Sequence, residues 1–141
     1  MKKGITFKVL DIDETDELLK IEIHLNNGLS ASTLEFYCYD EQLNEFGIGL
    51  SKFPKSITDM VTYEGGEKGD KWAFYLFICA LCDKQTGRST IKIETSNNGI
   101  DNPYFHSEFE IKAEPASINR LGQSLRYWNP LEIKELEWNP E

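Results

Sequence analysis

Hydrophobic and polar side chains alternate one by one along three early stretches of the chain, the period of a strand with one buried face. In ITFKVLDI, Ile5, Phe7 and Val9 share a face, and in LLKIEIHL, Leu19, Ile21, Ile23 and Leu25 alternate with Lys20, Glu22 and His24. In TLEFYCY, Leu34, Phe36 and Cys38 point one way and Glu35, Tyr37 and Tyr39 the other. The polar turns DETDE and NNGLS separate the three. At Asp40 the period lengthens. Leu43, Phe46, Leu50 and Phe53 form one helical stripe, with Asp40 placed to cap its start and Pro54 to stop it.

The second half runs similarly. A short strand is predicted from Met60 to Glu64, followed by GGEKGD as a charged hairpin loop. Trp72 to Cys82 is apolar on both faces and reads as a central, fully buried strand. The DKQTG turn leads into RSTIKIET with Ile91 and Ile93 inward. After the NNGIDNP loop, YFHSEFEIKAE turns Phe105, Phe109 and Ile111 inward. Pro115 suits the first turn of a helix carrying Ile118, Leu121, Leu125 and Trp128. In the tail, Leu131 and Ile133 alternate with polar residues, so a short edge strand is expected there, docked on its own domain, frayed, or reaching a partner's sheet edge.

NEFGIGLSKF and NRLGQSLRYW give away an internal duplication. Laying Leu34–Phe53 on Phe109–Trp128 matches Glu35 with Glu110, Asn44 with Asn119, Gly47 with Gly122 and Leu50 with Leu125. Upstream, IEIHLNNG matches IKIETSNNG with one residue inserted. The pattern predicts one α+β domain over residues 1–141, built from two β-β-β-α halves at about 4–53 and 71–128. A linker with an extra strand (54–70) joins them, and a tail (129–141) follows. The sheet is expected to be mostly antiparallel, curled or barrel-like, with two helices packed against one side. Gly47 and Gly122 both fall in the buried stripe, where a helix disfavours glycine. A missing side chain there predicts close approach of helix backbone to sheet, with approach of a ligand as the alternative.

The 141 residues and 16.2 kDa suit a single domain with its own core. A net charge of −9 argues against binding nucleic acid through its phosphates and suits a basic protein partner. The apolar run Trp72–Cys82 is about half the length of a membrane-spanning helix. The opening MKKGITFKVL lacks the apolar core of a secretory signal. The expectation is a cytoplasmic chain, away from membranes, with its three cysteines reduced.

No motif assigns chemistry. Cys79 and Cys82 form a CALC pair, but residues three apart on a strand face opposite sides, which disfavours a redox pair. Cys38, His24 and His106 are too scattered to complete a zinc site with them, so no metal and no cofactor is expected. His24 and His106 lie on polar strand faces without a nucleophile motif beside them, so no catalytic residue is assigned. The acids of DIDETDE lack the central glycine and terminal glutamate of a calcium loop and read as a solvated turn. The candidate binding residues are the outward ones: Tyr37, Tyr39, Glu35, Tyr104, His106, Glu108 and His24. The tyrosines among them have a second reading, slightly favoured, as core side chains covered by the helices.

The helix stripe Leu43–Phe53, the turn Asp83–Gly87 and the helix Glu114–Leu125 resemble small bacterial domain families of β-rich, two-helix type. Some of these are immunity partners of secreted toxins. The resemblance implies a cytoplasmic, acidic, non-catalytic protein that blocks a toxin by binding it. The expected function is therefore a non-enzymatic protein-binding domain, immunity-like, taking a basic partner or self-associating as a homodimer. The alternative is a small-molecule-binding domain or minor enzyme with a pocket between the halves, near His24 and His106.

Overall fold

Alternation sets the first three strands as expected. β1 (Gly4–Ile12), β2 (Leu19–Asn26) and β3 (Ala31–Cys38) form an antiparallel meander, and α1 (Asp40–Ser51) follows. The second half repeats the order with β5 (Tyr75–Cys82), β6 (Ser89–Ser96), β7 (His106–Lys112) and α2 (Pro115–Arg126). β4 (Met60–Gly66) lies between the halves, and β8 (Glu135–Trp138) closes the chain. The computed structural model describes residues 2–69, 71–100 and 102–141. Met1, Asp70 at the end of GGEKGD, and Asp101 within NNGIDNP lie outside the described residues.

The strands form two open four-stranded antiparallel sheets, ordered β3-β2-β1-β8 and β4-β5-β6-β7, and neither closes into a barrel. Each half therefore owns a fourth strand, and that strand crosses over. β4 follows α1 but pairs with β5, whereas β8 follows α2 but pairs with β1. The tail thus docks on its own domain, through Glu135–Trp138 rather than through Leu131 and Ile133, which stay exposed. Trp138 is buried, and its indole N–H donates to the Ser117 carbonyl at 2.9 Å.

The inner faces of both sheets and the buried stripes of both helices make one apolar cluster, from Ile5 and Phe7 through Leu76 and Ile78 to Leu125. Cys82 belongs to that cluster while Cys79 lies on the other face of β5, accepting a hydrogen bond from the Thr62 hydroxyl. The three cysteines are buried and free.

The glycines answer to a different surface than expected. A methyl group on Gly47 would fall on the Arg126 backbone nitrogen and lie 2.7 Å from the Gly122 oxygen. One on Gly122 would fall on the Ser51 nitrogen and lie 2.7 Å from the Leu50 carbonyl carbon. The close approach is helix to helix, not helix to sheet. Asparagines lock the crossing reciprocally. Asn44 Nδ2 donates to the carbonyls of Leu125 (2.9 Å) and Trp128 (3.2 Å), and Asn119 Nδ2 to those of Leu50 (2.9 Å) and Phe53 (2.7 Å). Each thereby satisfies the orphan carbonyls at the other helix's end.

The start of α1 also differs in detail. Tyr39, not Asp40, is the N-cap, and its backbone N–H is held by the Gln42 side chain at 2.8 Å. Asp40 lies in the first turn, where its charge suits the helix dipole.

Candidate functional site: two clefts on either side of one segment

Outward positions on β2 and β3 carry Lys20, Glu22, Thr33, Glu35 and Tyr37, and these form one wall of an open cleft of about 450 Å³. The second half supplies the other wall through Ala73, Asn97, Asn102, Pro103 and Phe105. Register explains the acidity of this wall: Glu22 stands directly opposite Glu35 on the neighbouring strand. Like charges so placed repel, and Lys20 relieves them through a 3.7 Å contact to Glu35. Tyr37 is 43% exposed, its ring 6.3 Å from that of Phe74.

A second open cleft, about 560 Å³, lies on the outer face of the other sheet. Glu94, Tyr104, His106 and Glu108 line it together with Lys68 from the β4–β5 loop. Glu94 and Glu108 are again direct cross-strand partners. Glu94 Oε2 accepts hydrogen bonds from Lys68 Nζ (2.9 Å) and His106 Nε2 (2.8 Å). Burial works against ionising the Glu94 carboxyl, but those two donors outweigh it and hold the group below its ordinary range. The hydrogen bond to Glu94 in turn raises the Lys68 ammonium, with smaller contributions from Glu108 and Glu64. Lys68 also lies 5.4 Å over the Tyr75 ring.

The segment 102–105 separates the clefts. Pro103 and Phe105 line the first, and Tyr104 between them lines the second. Alternation along an extended stretch thus turns neighbouring residues toward different clefts: Glu35 and Tyr37 lie on the first, Tyr104, His106 and Glu108 on the second. The tyrosines of these clefts are not covered by helices: Tyr104 is 67% exposed.

Two expected residues fall elsewhere. Tyr39 is 40% exposed at the β1–β2 turn, where its hydroxyl donates to Asp16 Oδ2 at 2.7 Å. That hydrogen bond raises the phenol and lowers the Asp16 carboxyl. The acidic turn is internally satisfied, since Asp13 Oδ1 accepts the Thr15 and Asp16 N–H groups. His24 and His106 are on different sheets and line different clefts. His24 Nδ1 lies 3.0 Å from Thr33 Oγ1 and Nε2 lies 2.6 Å from Glu22 Oε1. This Glu22–His24–Thr33 chain has the order of a proton relay, and both its ends line the first cleft. The Cys38 thiol is no candidate nucleophile, since burial pushes it up to about 12.

Glu22, Lys68, Glu94 and Pro103 were not singled out from sequence, and Phe105, expected inward, packs half-buried against the core while lining the first cleft. Glu22 and Glu94 become visible only through register, which sets each against a second glutamate. No helix among the described residues is long and apolar enough to cross a membrane.

No family model and no curated protein sequence matches the chain. Among solved structures, the plant transcriptional regulator PBF-2 is similar over 92% of this chain and 78% of that one, with a TM-score of 0.49 and 9% identity. The CdiA-CT/CdiI toxin and immunity complex from Enterobacter cloacae is similar over 87% of this chain and 98% of that one, with a TM-score of 0.45 and 8% identity. Both likenesses are in outline, and neither carries an argument about activity.

Proposed function

We infer that this chain is a protein-binding domain whose docking surface is the pair of clefts flanking residues 102–105. The observation that carries this reading is the placement of exposed Tyr37 beside Glu22 and Glu35 in one cleft and of exposed Tyr104 beside Glu94 and Glu108 in the other, on either side of residues 102–105. Tyrosine supplies contact area at low entropic cost, and the acidic surround favours a partner with Lys or Arg at its contact face. Lys68 illustrates the preference, since the second cleft already holds a primary ammonium between a carboxylate and an aromatic ring. The net charge of −9 speeds encounter with a basic protein over a longer range. An inhibitor of the immunity type, covering the working face of a basic toxin, is the finer form of this reading.

The test is affinity capture from the source cell's lysate and secretome, with the wild-type chain and a Glu35→Lys/Tyr37→Ala variant side by side. A basic protein retained by the wild type, released by salt and lost by the variant supports the reading. Equal retention by both proteins contradicts it.

One observation favours a second reading, a small-ligand site: the His24-centred chain opens onto a cleft of a size that small ligands occupy. A thermal-shift ligand screen decides it. A stabilising ligand whose effect disappears in Thr33→Val would move the function to the first cleft's interior.

A further inference from the structure

The second cleft brings together three side chains of kinds that ligate metals. The ligand atoms of Glu94, His106 and Glu108 all lie within 4.8 Å of one another. Antiparallel register is the cause: Glu94 stands opposite Glu108, and His106, two residues before Glu108 on β7, points to the same face. Three ligands around a tetrahedral first-row ion are about 3.4 Å apart, given metal–ligand distances near 2.1 Å. Closing from 4.8 Å needs only side-chain rotation on an outer sheet face, because two of the three residues are exposed.

The cluster is not a plain acidic patch. A bare pair of opposed carboxylates is unfavourable, and here the second half sets an imidazole beside the pair. The first half also opposes two glutamates, Glu22 and Glu35, with His24 beside Glu22, but the three ligand atoms that gather within 4.8 Å of one another are those of Glu94, His106 and Glu108. Lys68 meanwhile supplies the positive charge. Its ammonium reaches Glu94 from a loop, at 63% side-chain exposure, and so can withdraw without disturbing the sheet. A divalent ion would replace both the Lys68 ammonium and the proton on His106 Nε2 with one centre of higher charge.

We propose that Glu94, His106 and Glu108 form a binding site for a divalent first-row transition ion of the zinc type, with Lys68 as the built-in cation that fills it in the ion's absence. Imidazole and carboxylate together suit this class of ion. Three protein ligands leave a coordination position turned to solvent. The site clips the edge strand β7 to β6 and stands whether or not the surface binds a protein.

The experiment is titration of the purified full chain with zinc by calorimetry, and with cobalt followed by visible absorption. One saturable ion per chain is expected. His106→Ala should weaken binding about tenfold or more. Lys68→Ala should tighten it severalfold, because the competing ammonium is gone. His24→Ala should leave it unchanged. Circular dichroism of each variant checks that the fold is intact. The opposite directions expected for Lys68→Ala and His106→Ala keep the result interpretable if one variant loses stability. The proposal is overturned by no saturable binding below about 1 mM, by equal affinity in His106→Ala, or by a thiolate charge-transfer band that places cobalt on a cysteine.

Discussion

A single methyl group separates Gly47 from alanine, and the helix crossing has no room for it. The atoms it would meet are backbone atoms of α2, which cannot step aside as a flexible side chain could. Gly47→Ala is expected to destabilise the fold by about 3 kcal/mol, well beyond the ~1 kcal/mol alanine gains as a helix former. Urea denaturation measures this, and a variant as stable as wild type would contradict the crossing. The sequence marked both glycines as special through their place in the buried stripe. It could not name the opposing surface, because an absent side chain looks the same against a sheet or a helix. At Glu94 the expectation concerns pH. Its carboxyl is depressed in the folded chain, so its contribution to stability is present above the unfolded value near 4.5. That contribution is lost as pH falls through the lower folded value. Glu94→Gln should therefore flatten the acid limb of the stability–pH curve, which thermal melts between neutral pH and about pH 3 would record.

Elements were the most legible scale. Period-two alternation placed β1, β2, β3, β6 and β7, and the change of period at Asp40 placed α1, because a one-sided core imposes both patterns. β8 was misplaced by a few residues, since Leu131 and Ile133 alternate as a strand would while lying exposed in the turn before it. The duplication extends to turn chemistry. The β1–β2 turn closes with the Asp13 N–H on Leu18 O at 2.9 Å, and the β5–β6 turn with the Asp83 N–H on Arg88 O at 2.8 Å. Gly87 holds φ 71° in the second turn, but Glu17 holds φ 64° in the first. A left-handed residue with a Cβ costs roughly 1–2 kcal/mol. Glu17→Gly should therefore stabilise the chain by about 0.5–1 kcal/mol after glycine's own entropic cost. An unchanged or lower melting temperature would show that the Glu17 side chain makes up for the strain.

The whole molecule is where sequence reading stopped. Two halves were visible, yet nothing local in MVTYEGG or ELEW says which sheet a lone strand joins; pairing is settled by the path the chain takes after each helix. The crossing of β4 and β8 ties the halves into one unit. Trp138 is its clearest reporter, buried against the first sheet and hydrogen-bonded to α2. Trp138→Ala is expected to cost about 3–5 kcal/mol and to lower the stability of both sheets in a single transition. Two separate transitions would mean the halves fold independently. The proposed docking surface was half legible for the same reason. Alternation put Glu35, Tyr37, Tyr104 and Glu108 outward, but their division between two clefts on either side of segment 102–105 depends on how the halves meet. The most direct measurement of that surface is amide hydrogen exchange on the chain, free and bound to a captured basic protein. Slowed exchange concentrated in residues 31–38 and 97–106 is the predicted result. Slowed exchange confined to α1, α2 or the tail, with those two stretches unchanged, would place the partner elsewhere and contradict the account.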